Sequence, residues 1–143
     1  MKGTFITFEG SEGCGKSTQS RLLYQYLKRK GYKAIYLREP GSTAIGEKIR
    51  KILLDAKNLT LTPVSEMLLY MAARSQIVDE MIKPALAAGE VVICDRFLDS
   101  TLAYQGYGLG LDIKLLEEIG KHVTRKIRAR SHNTLGLSHS QRF

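Results

Sequence analysis

Short apolar runs alternate with amphipathic stretches along most of the chain. The runs at 4–8, 33–37 and 90–94 are rich in apolar and β-branched residues, which is typical of strands buried in a sheet. Between them, apolar residues recur every three or four positions, which predicts helices. This alternation predicts an α/β fold in which helices flank a parallel sheet with right-handed crossovers. In such folds, ligands bind beyond the carboxyl ends of the strands.

Glycine, proline and capping residues set the limits of the predicted helices. Gly31 and Gly89 end two of them, Thr62 and Asp112 cap two others, and Pro84 is expected to kink or restart the helix that contains it. A further helix is predicted over 98–104, followed by a loop over 106–110. The residues expected on the apolar helix faces are Leu22, Leu23, Tyr26, Leu27, Ile45, Ile49, Ile52, Leu53, Met67, Leu68, Met71 and Ile77.

A glycine-rich segment lies between the first strand and the first helix. Residues 10–17 read GSEGCGKS and fit the phosphate-binding loop pattern G-x-x-x-x-G-K-[ST]. Its backbone N–H groups can surround phosphate oxygens at a helix N-terminus, Lys16 can reach the β- and γ-phosphates, and the Ser17 hydroxyl can ligate Mg²⁺. An incidental glycine-rich turn is the alternative. The predicted ATP-binding residues are Gly10, Ser11, Glu12, Gly13, Cys14, Gly15, Lys16, Ser17 and Thr18.

Charge and cysteine content narrow the function classes. The 143 residues carry a formal net charge of +8. The basic excess is concentrated at 121–143, which contain six basic residues and no acid, so no basic stripe interleaved with aromatics predicts a nucleic-acid partner. No apolar run is long enough to cross a membrane, and no signal peptide is recognised. Cys14 and Cys94 match neither a zinc site nor a disulfide framework, which favours a cytoplasmic protein.

Several short motifs follow one another along the chain: FEG at 8–10, GKST at 15–18, REPG at 38–41, LYMAAR at 69–74, DRF at 95–97 and AYQG at 103–106. Their order and spacing resemble the bacterial type of thymidylate kinase. The resemblance covers residues 1 to 128. It implies a P-loop nucleoside monophosphate kinase fold, here incomplete at the C-terminal end. It also implies phosphoryl transfer from ATP to dTMP with Mg²⁺, giving dTDP, and a homodimer.

The resemblance also implies roles for individual residues. Lys16, Asp95 and Arg96 would be catalytic, and Ser17 and Asp95 would serve the metal. A helix cap is the alternative for Asp95. Arginine suits phosphate because its fork matches two oxygens, and the residues implied in the clamp on the acceptor phosphate are Arg38, Arg50 and Arg96. A solvated surface arginine is the alternative for Arg50.

Further residues match the positions that hold the nucleoside. Tyr70 would stack on thymine and Arg74 would hydrogen-bond the base, and the two lie four apart on one helix face. Tyr104 would crowd the sugar 2′-carbon, and Glu12 would meet the 3′-hydroxyl. The alternatives are a core aromatic with an exposed arginine for the first pair and a surface acid for Glu12. The remaining predicted dTMP-binding residues are Glu39, Pro40, Gln105 and Gly106.

The segment 129–143 departs from the family pattern and is expected to be disordered. If codons for 129–136 are read one base later, synonymous choices allow Pro-Asp-Leu-Thr-Ile-Leu-Leu-Asp, which resembles the next strand of the family. We therefore hypothesise a truncated chain with a frameshifted tail. It would lack the lid arginine, which predicts impaired turnover, since such an arginine is worth about 10³–10⁵ in rate. The strand around Phe5 would then be an exposed edge.

Three other functions remain open at this point. One is a nucleotide-binding remnant without turnover, and another is a deoxynucleoside kinase that acts on thymidine. The third is a nucleic-acid binder that uses the basic tail. Convergence of the three clamp arginines on one phosphate would favour the monophosphate acceptor.

Overall fold

A computed structural model describes residues 3–135 as a parallel sheet flanked by helices. The four strands are β1 (Thr4–Gly10), β2 (Ala34–Arg38), β3 (Val91–Asp95) and β4 (Ser131–Leu135). Their order in the sheet is β2-β3-β1-β4, and every neighbouring pair is parallel. The α/β fold predicted from the alternating pattern is confirmed.

The helices connect these strands as crossovers. They are α1 (Lys16–Arg29), α2 (Ala44–Leu54), α3 (Pro63–Ile77), α4 (Lys83–Ala87), α5 (Leu98–Thr101) and α6 (Ile113–Val123). The Thr62 side chain accepts a hydrogen bond from the Ser65 N–H, and Asp112 accepts from the Lys114 N–H, so both predicted caps are confirmed. Within 3–135, no helix combines the length and the apolar character that a membrane span requires.

Two π-helical segments interrupt the regular helices. The first, Val78–Ile82, separates α3 from α4, and α4 begins one residue before Pro84. The predicted restart at this proline is confirmed, because proline has no N–H to continue the α-helical ladder. The second, Leu102–Gly108, extends α5, so the loop expected over 106–110 begins later than predicted.

The core is formed where β1 and β3 meet the α3–α4 region. Phe5 and Phe97 make an edge-on ring contact at 4.9 Å, and Ile77, Val78 and Val92 are fully buried around them. Met67, Met71 and Leu116 form a second cluster between α3 and α6. These clusters fix the positions of β1, β3 and α3, which carry the candidate site.

Several predicted apolar faces are only partly buried. On α1, Leu22 and Tyr26 are each 49% exposed, while Lys16 and Ser20 are buried instead. The prediction was wrong for Leu22 and Tyr26, because the first turn of α1 belongs to a polar site rather than to the core, while Leu23 and Leu27 are partly buried. Leu68 on α3 and both Ile45 and Ile52 on α2 are also exposed.

Strand β4 corrects two expectations about the tail. Ser131–Leu135 pairs with Ile6–Gly10, so β1 lies inside the sheet and is not an exposed edge. Disorder is therefore wrong for these five residues, and the polar sequence SHNTL is held by main-chain hydrogen bonds, which any side chain permits. The remaining tail, 136–143, lies outside the described residues.

Candidate active site

The carboxyl ends of three neighbouring strands carry acidic side chains. Glu9 is the penultimate residue of β1, Glu39 follows β2, and Asp95 ends β3. The register places Phe8 and Arg38 on either side of Asp95, so the three acids lie along one edge of the sheet. Each has one buried carboxylate oxygen without a hydrogen-bond partner among the described residues. Such oxygens are available to accept hydrogen bonds from a ligand or its water.

The phosphate-binding loop joins this edge to α1. Gly13 and Gly15 have φ angles of +72° and +87°, which side chains other than glycine rarely adopt. Gly15 precedes α1 directly and offers no side-chain cap, so the first N–H groups of the helix face the loop. No acid lies in the first turn of α1, and Lys16 is only 7% exposed. This local geometry suits an anion with several oxygens.

Ser17 and Asp95 bring oxygen ligands together beside the loop. The Ser17 hydroxyl donates to Asp95 Oδ2, while Asp95 Oδ1 is the buried unpartnered oxygen. Residues 3–135 contain no group of three acids, histidines or cysteines that could enclose a metal. Mg²⁺ is commonly held by one or two protein oxygens together with phosphates and water. The pair therefore fits the implied Mg²⁺ at the level of donor chemistry.

A cavity of about 280 Å³ opens beside the phosphate loop. It lies between β2, α3 and residues 98–108, which comprise α5 and its π-helical extension and are called the α5 segment below. Its walls are both apolar and charged. Nine of the eleven predicted dTMP-binding residues line it: Glu12, Glu39, Pro40, Arg50, Tyr70, Arg74, Arg96, Tyr104 and Gln105. The structure thus brings together residues that are as far apart as 12 and 105 in the chain.

Arg96 lies where the loop and the cavity meet. Its backbone has a φ angle of +71°, and its N–H donates to the Phe8 carbonyl at 2.9 Å. The guanidinium carbon lies 5.2 Å from the centre of the Tyr104 ring, and a guanidinium nitrogen lies 3.8 Å from Glu12 Oε1. Since the Glu12 side chain is 90% exposed, this ion pair is weak and an incoming anion can displace it.

Arg38 and Arg50 differ in whether they line the cavity. Arg50 lines the cavity and donates to the Pro40 carbonyl at 2.9 Å. Arg38 does not line the cavity, because its guanidinium pairs with Glu47 at 3.2 Å. Glu47 also accepts from the Ser42 N–H, and these contacts lower its pKa and keep it charged. Only two of the three predicted clamp arginines therefore face the cavity.

Arg74 forms part of the cavity wall but is almost completely buried. Its Nε donates to Glu39 Oε2 at 2.7 Å, and its terminal nitrogens donate to Thr101 Oγ1 at 3.0 Å and to the Phe97 carbonyl at 2.9 Å. Burial raises the pKa of Glu39, and Arg74 opposes that effect. Most donors of Arg74 therefore hold the scaffold, which differs from the expected role of contacting the base.

Gly106 is a predicted dTMP-binding residue that packs against α6. A Cβ at this position would lie 2.3 Å from Ile113 Cδ1 and 3.1 Å from Leu116 Cδ1. Glycine is needed here for the close approach of the α5 segment to α6. Gly106 does not line the cavity, and its predicted contact with dTMP stays a prediction.

Sequence reasoning missed several cavity residues that helical spacing could have identified. Glu66 lies four residues before Tyr70 on the same face of α3, and it accepts a hydrogen bond from Gln105 at 2.7 Å. Burial and Glu66 raise the pKa of Tyr70. Ser100 and Thr101 precede Tyr104 by one helical turn. The cavity residues that were not predicted are Leu54, Glu66, Phe97, Ser100, Thr101 and Leu109.

Glu9 is a buried acid that connects β1 to α5, which carries part of the cavity lining. Ser100 on α5 donates to Glu9 Oε2 at 2.5 Å, while Glu9 Oε1 is unpartnered among the described residues. Burial raises the pKa of Glu9, the Ser100 hydrogen bond opposes this, and Asp99 adds to it. The folded state therefore binds this proton more tightly than the unfolded chain does.

We expect Glu9→Gln to increase stability at neutral pH. The unfolded-state pKa is near 4.5 and the folded-state pKa is higher, so the contribution of Glu9 to wild-type stability falls as pH rises above 4.5 and levels off beyond the folded pKa. The advantage of the variant should grow through that same pH window. Urea unfolding at a series of pH values measures it, and Glu12→Gln, at an exposed acid, is the control. A stability difference independent of pH would contradict the prediction.

Known proteins match most of this chain. The family model for thymidylate kinase matches residues 8–128. A thymidylate kinase of Geotalea daltonii is 55% identical over 126 residues, which are 88% of this chain and 59% of that protein. One from Caldanaerobacter subterraneus is 57% identical over 122 residues, which are 83% of this chain and 58% of that protein. The chain thus spans under two thirds of the length of these relatives.

A solved structure supports the same relationship. The crystal structure of thymidylate kinase from Ehrlichia chaffeensis superimposes with a TM-score of 0.88 at 40% identity. The match covers 94% of this chain and 75% of that one. The resemblance based on motifs is confirmed by these matches, and the chain belongs to the thymidylate kinase family.

Proposed function

We propose that this chain binds ATP at the phosphate loop and dTMP in the adjoining cavity, for phosphoryl transfer that yields dTDP. The observation that carries the proposal is the position of Arg96. It lies in the cavity with Arg50, and its guanidinium reaches Glu12 of the phosphate loop at 3.8 Å. A phosphate held by these arginines would therefore lie beside the terminal phosphate of a nucleotide in the loop.

The proposed chemistry needs positioning and charge neutralisation more than covalent catalysis. An oxygen of the dTMP phosphate attacks the γ-phosphorus of ATP, the bond from that phosphorus to the β–γ bridging oxygen breaks, and ADP leaves. Lys16 and the loop N–H groups hold the β- and γ-phosphates, and Arg96 neutralises charge between the reactants. Ser17 and Asp95 would hold Mg²⁺, which neutralises phosphate charge when it is bound.

The nucleoside half of dTMP fits the aromatic part of the cavity. Tyr70 would stack on the base and Tyr104 would crowd the sugar, since both line the cavity and the Tyr104 ring lies beside the Arg96 guanidinium. Gln105 would supply polar groups for the base, and Glu12 an acceptor for the 3′-hydroxyl. Arg74 would contact the base only by giving up one of its bonds to Thr101 or to the Phe97 carbonyl. Reduced turnover of the 143-residue chain, expected from the sequence, stays a prediction. A cytoplasmic location belongs to the same proposal.

We also propose that the chain forms a homodimer through α2 and α3. These helices pack against each other and expose Ile45, Ile52, Val64 and Leu68, each at least 44% accessible. Exposed apolar side chains on two helices that pack together suit an interface between identical subunits.

The dimer proposal predicts a change of mass on one substitution. Leu68→Glu should shift the chain from dimer to monomer in sedimentation equilibrium, because it places a charge in the apolar surface. Leu22→Glu, at a similarly exposed leucine on α1, is the matched control and should leave the mass unchanged. Equal mass for all three proteins would contradict the proposed interface.

Binding measurements test the proposed acceptor. Calorimetry with dTMP and thymidine should show that Arg50→Ala and Arg96→Ala each weaken dTMP binding by roughly ten- to hundredfold, since each removes charge-assisted hydrogen bonds to phosphate. Thymidine has no phosphate, so its affinity should not depend on these arginines. Arg38→Ala is the matched control, because Arg38 pairs with Glu47 outside the cavity.

Product analysis separates the alternatives. ADP release from ATP is measured with dTMP, dUMP, thymidine or no acceptor. Release that depends on dTMP supports the proposal, while preference for thymidine would indicate a deoxynucleoside kinase. Binding of both nucleotides without ADP release would indicate a nucleotide-binding module instead.

A further inference from the structure

The Asp95 carboxylate has two oxygens in very different surroundings. Oδ2 accepts from the Ser17 hydroxyl and from the Tyr36 hydroxyl, the latter at 3.4 Å. Oδ1 is buried and has no partner among the described residues. The hydrogen bonds on one oxygen therefore set the direction in which the other oxygen points.

Tyr36 reaches Asp95 because of the strand register. Arg38 of β2 is paired with Asp95 of β3, and Tyr36 lies two residues before Arg38, hence on the same face of the sheet. The Tyr36 hydroxyl oxygen also lies 3.2 Å from Ser20 Oγ, and Ser20 is fully buried on α1. Tyr36 thus connects β2, β3 and α1 behind the phosphate loop.

Tyr36 differs from Ser17 in its relation to the proposed metal. The Ser17 oxygen would itself be a ligand of Mg²⁺, so a change at Ser17 would alter the proposed ligand set directly. The Tyr36 hydroxyl lies outside the phosphate loop and can hold Asp95 with or without Mg²⁺–ATP. A carboxylate held in advance loses less conformational freedom when a ligand arrives.

We infer that Tyr36 is a positioning residue that fixes the orientation in which the Asp95 carboxylate would serve the proposed Mg²⁺. The inference rests on the proposed function, because it concerns the same nucleotide site. It assigns to the β2 tyrosine the task of supporting magnesium-dependent binding, without contact with the nucleotide. Removal of its hydroxyl should therefore affect the magnesium dependence and not the intrinsic affinity for the phosphates.

The test uses Tyr36→Phe in the 143-residue chain and a fluorescent ATP analogue. Affinity is measured in EDTA and across a Mg²⁺ titration. We expect the affinity in EDTA to stay within twofold of wild type, and the Mg²⁺ concentration for half-maximal enhancement to rise about three- to tenfold, the effect of losing one hydrogen bond. The affinity of the variant for Mn²⁺, measured by electron paramagnetic resonance, should fall by the same factor.

Two further variants serve as controls for this measurement. Tyr24→Phe is the matched control, because the Tyr24 ring packs 6.0 Å from the Tyr36 ring while its hydroxyl makes no contact with Asp95. It should leave the Mg²⁺ titration unchanged. Asp95→Asn should abolish most of the enhancement by Mg²⁺, because it removes the charge that Tyr36 is proposed to position.

The outcomes distinguish this inference from the proposed function. If the wild-type chain binds no ATP analogue with or without Mg²⁺, the proposed function fails and the inference fails with it. If wild type binds and Tyr36→Phe follows an identical Mg²⁺ titration, only the inference is overturned. An equal loss of affinity in EDTA and in Mg²⁺ would also overturn it, since that result indicates a packing role for the ring.

Discussion

Replacing Arg74 with alanine is expected to lower the free energy of unfolding by about 3–5 kcal/mol, because it leaves Glu39 as a buried charge without a partner. The two side chains are 2% and 3% exposed, with a closest N–O distance of 2.6 Å. The substitution also removes the donors to Thr101 and to the Phe97 carbonyl. Since small domains are stable by about 5–15 kcal/mol, this is a large fraction of the total.

Urea denaturation followed by circular dichroism measures the effect, since the chain has no tryptophan to report unfolding by fluorescence. The matched control is the double variant Arg74→Met with Glu39→Gln, which removes both charges and keeps similar volumes. It should recover most of the lost stability, because replacement of a whole buried ion pair is often nearly neutral. A loss below about 1 kcal/mol for Arg74→Ala would mean that water or local rearrangement compensates Glu39.

The contacts of Arg74 show why the sequence could identify this residue but not its main partners. The spacing of Tyr70 and Arg74 places them on one helix face, and both line the cavity as expected. The partners of Arg74 come from residues 39, 97 and 101, which are remote in sequence. Side-chain pairing across such separations depends on packing, and no periodicity encodes it.

Predictions that depended on short segments agree best with the structure. The phosphate loop and the helix caps are local features, so residues within four positions determine them. Arg38 pairs with Glu47 on α2 because a long side chain can reach several partners, and its predicted contact with phosphate stays a prediction. The predicted face of α1 was wrong for Leu22 and Tyr26, because apolar periodicity does not reveal that Ser20 and Lys16 face a polar site.

The last strand was the hardest element to predict. The segment 131–135 has few strand-favouring residues, and its pairing partner lies more than a hundred residues earlier in the chain. A parallel strand of this kind is stabilised by main-chain hydrogen bonds to a neighbour that is already in place. Its sequence therefore carries little of the information that determines its structure.

Replacing Lys16 is expected to have the largest effect on nucleotide binding. Lys16→Ala should weaken ATP binding by about a hundredfold or more, because the ammonium group supplies charge-assisted hydrogen bonds to the β- and γ-phosphates. Binding of dTMP should be unchanged, since Lys16 does not line the cavity. Calorimetric titration of the same protein with each nucleotide therefore contains its own control for folding.

Replacing Lys16 should not lower the stability of the protein, although it lowers ATP affinity. Lys16 is 7% exposed, and its ammonium group forms no ion pair or hydrogen bond with the other residues of 3–135. Holding a cation in a confined position without a partner costs free energy, so Lys16→Met, which keeps the apolar stem, should be at least as stable as wild type while losing ATP affinity. Sites that bind charged ligands commonly have this conflict between stability and function. A Lys16→Met variant that is clearly less stable, yet binds ATP as wild type does, would assign Lys16 to the scaffold and remove it from the phosphate site.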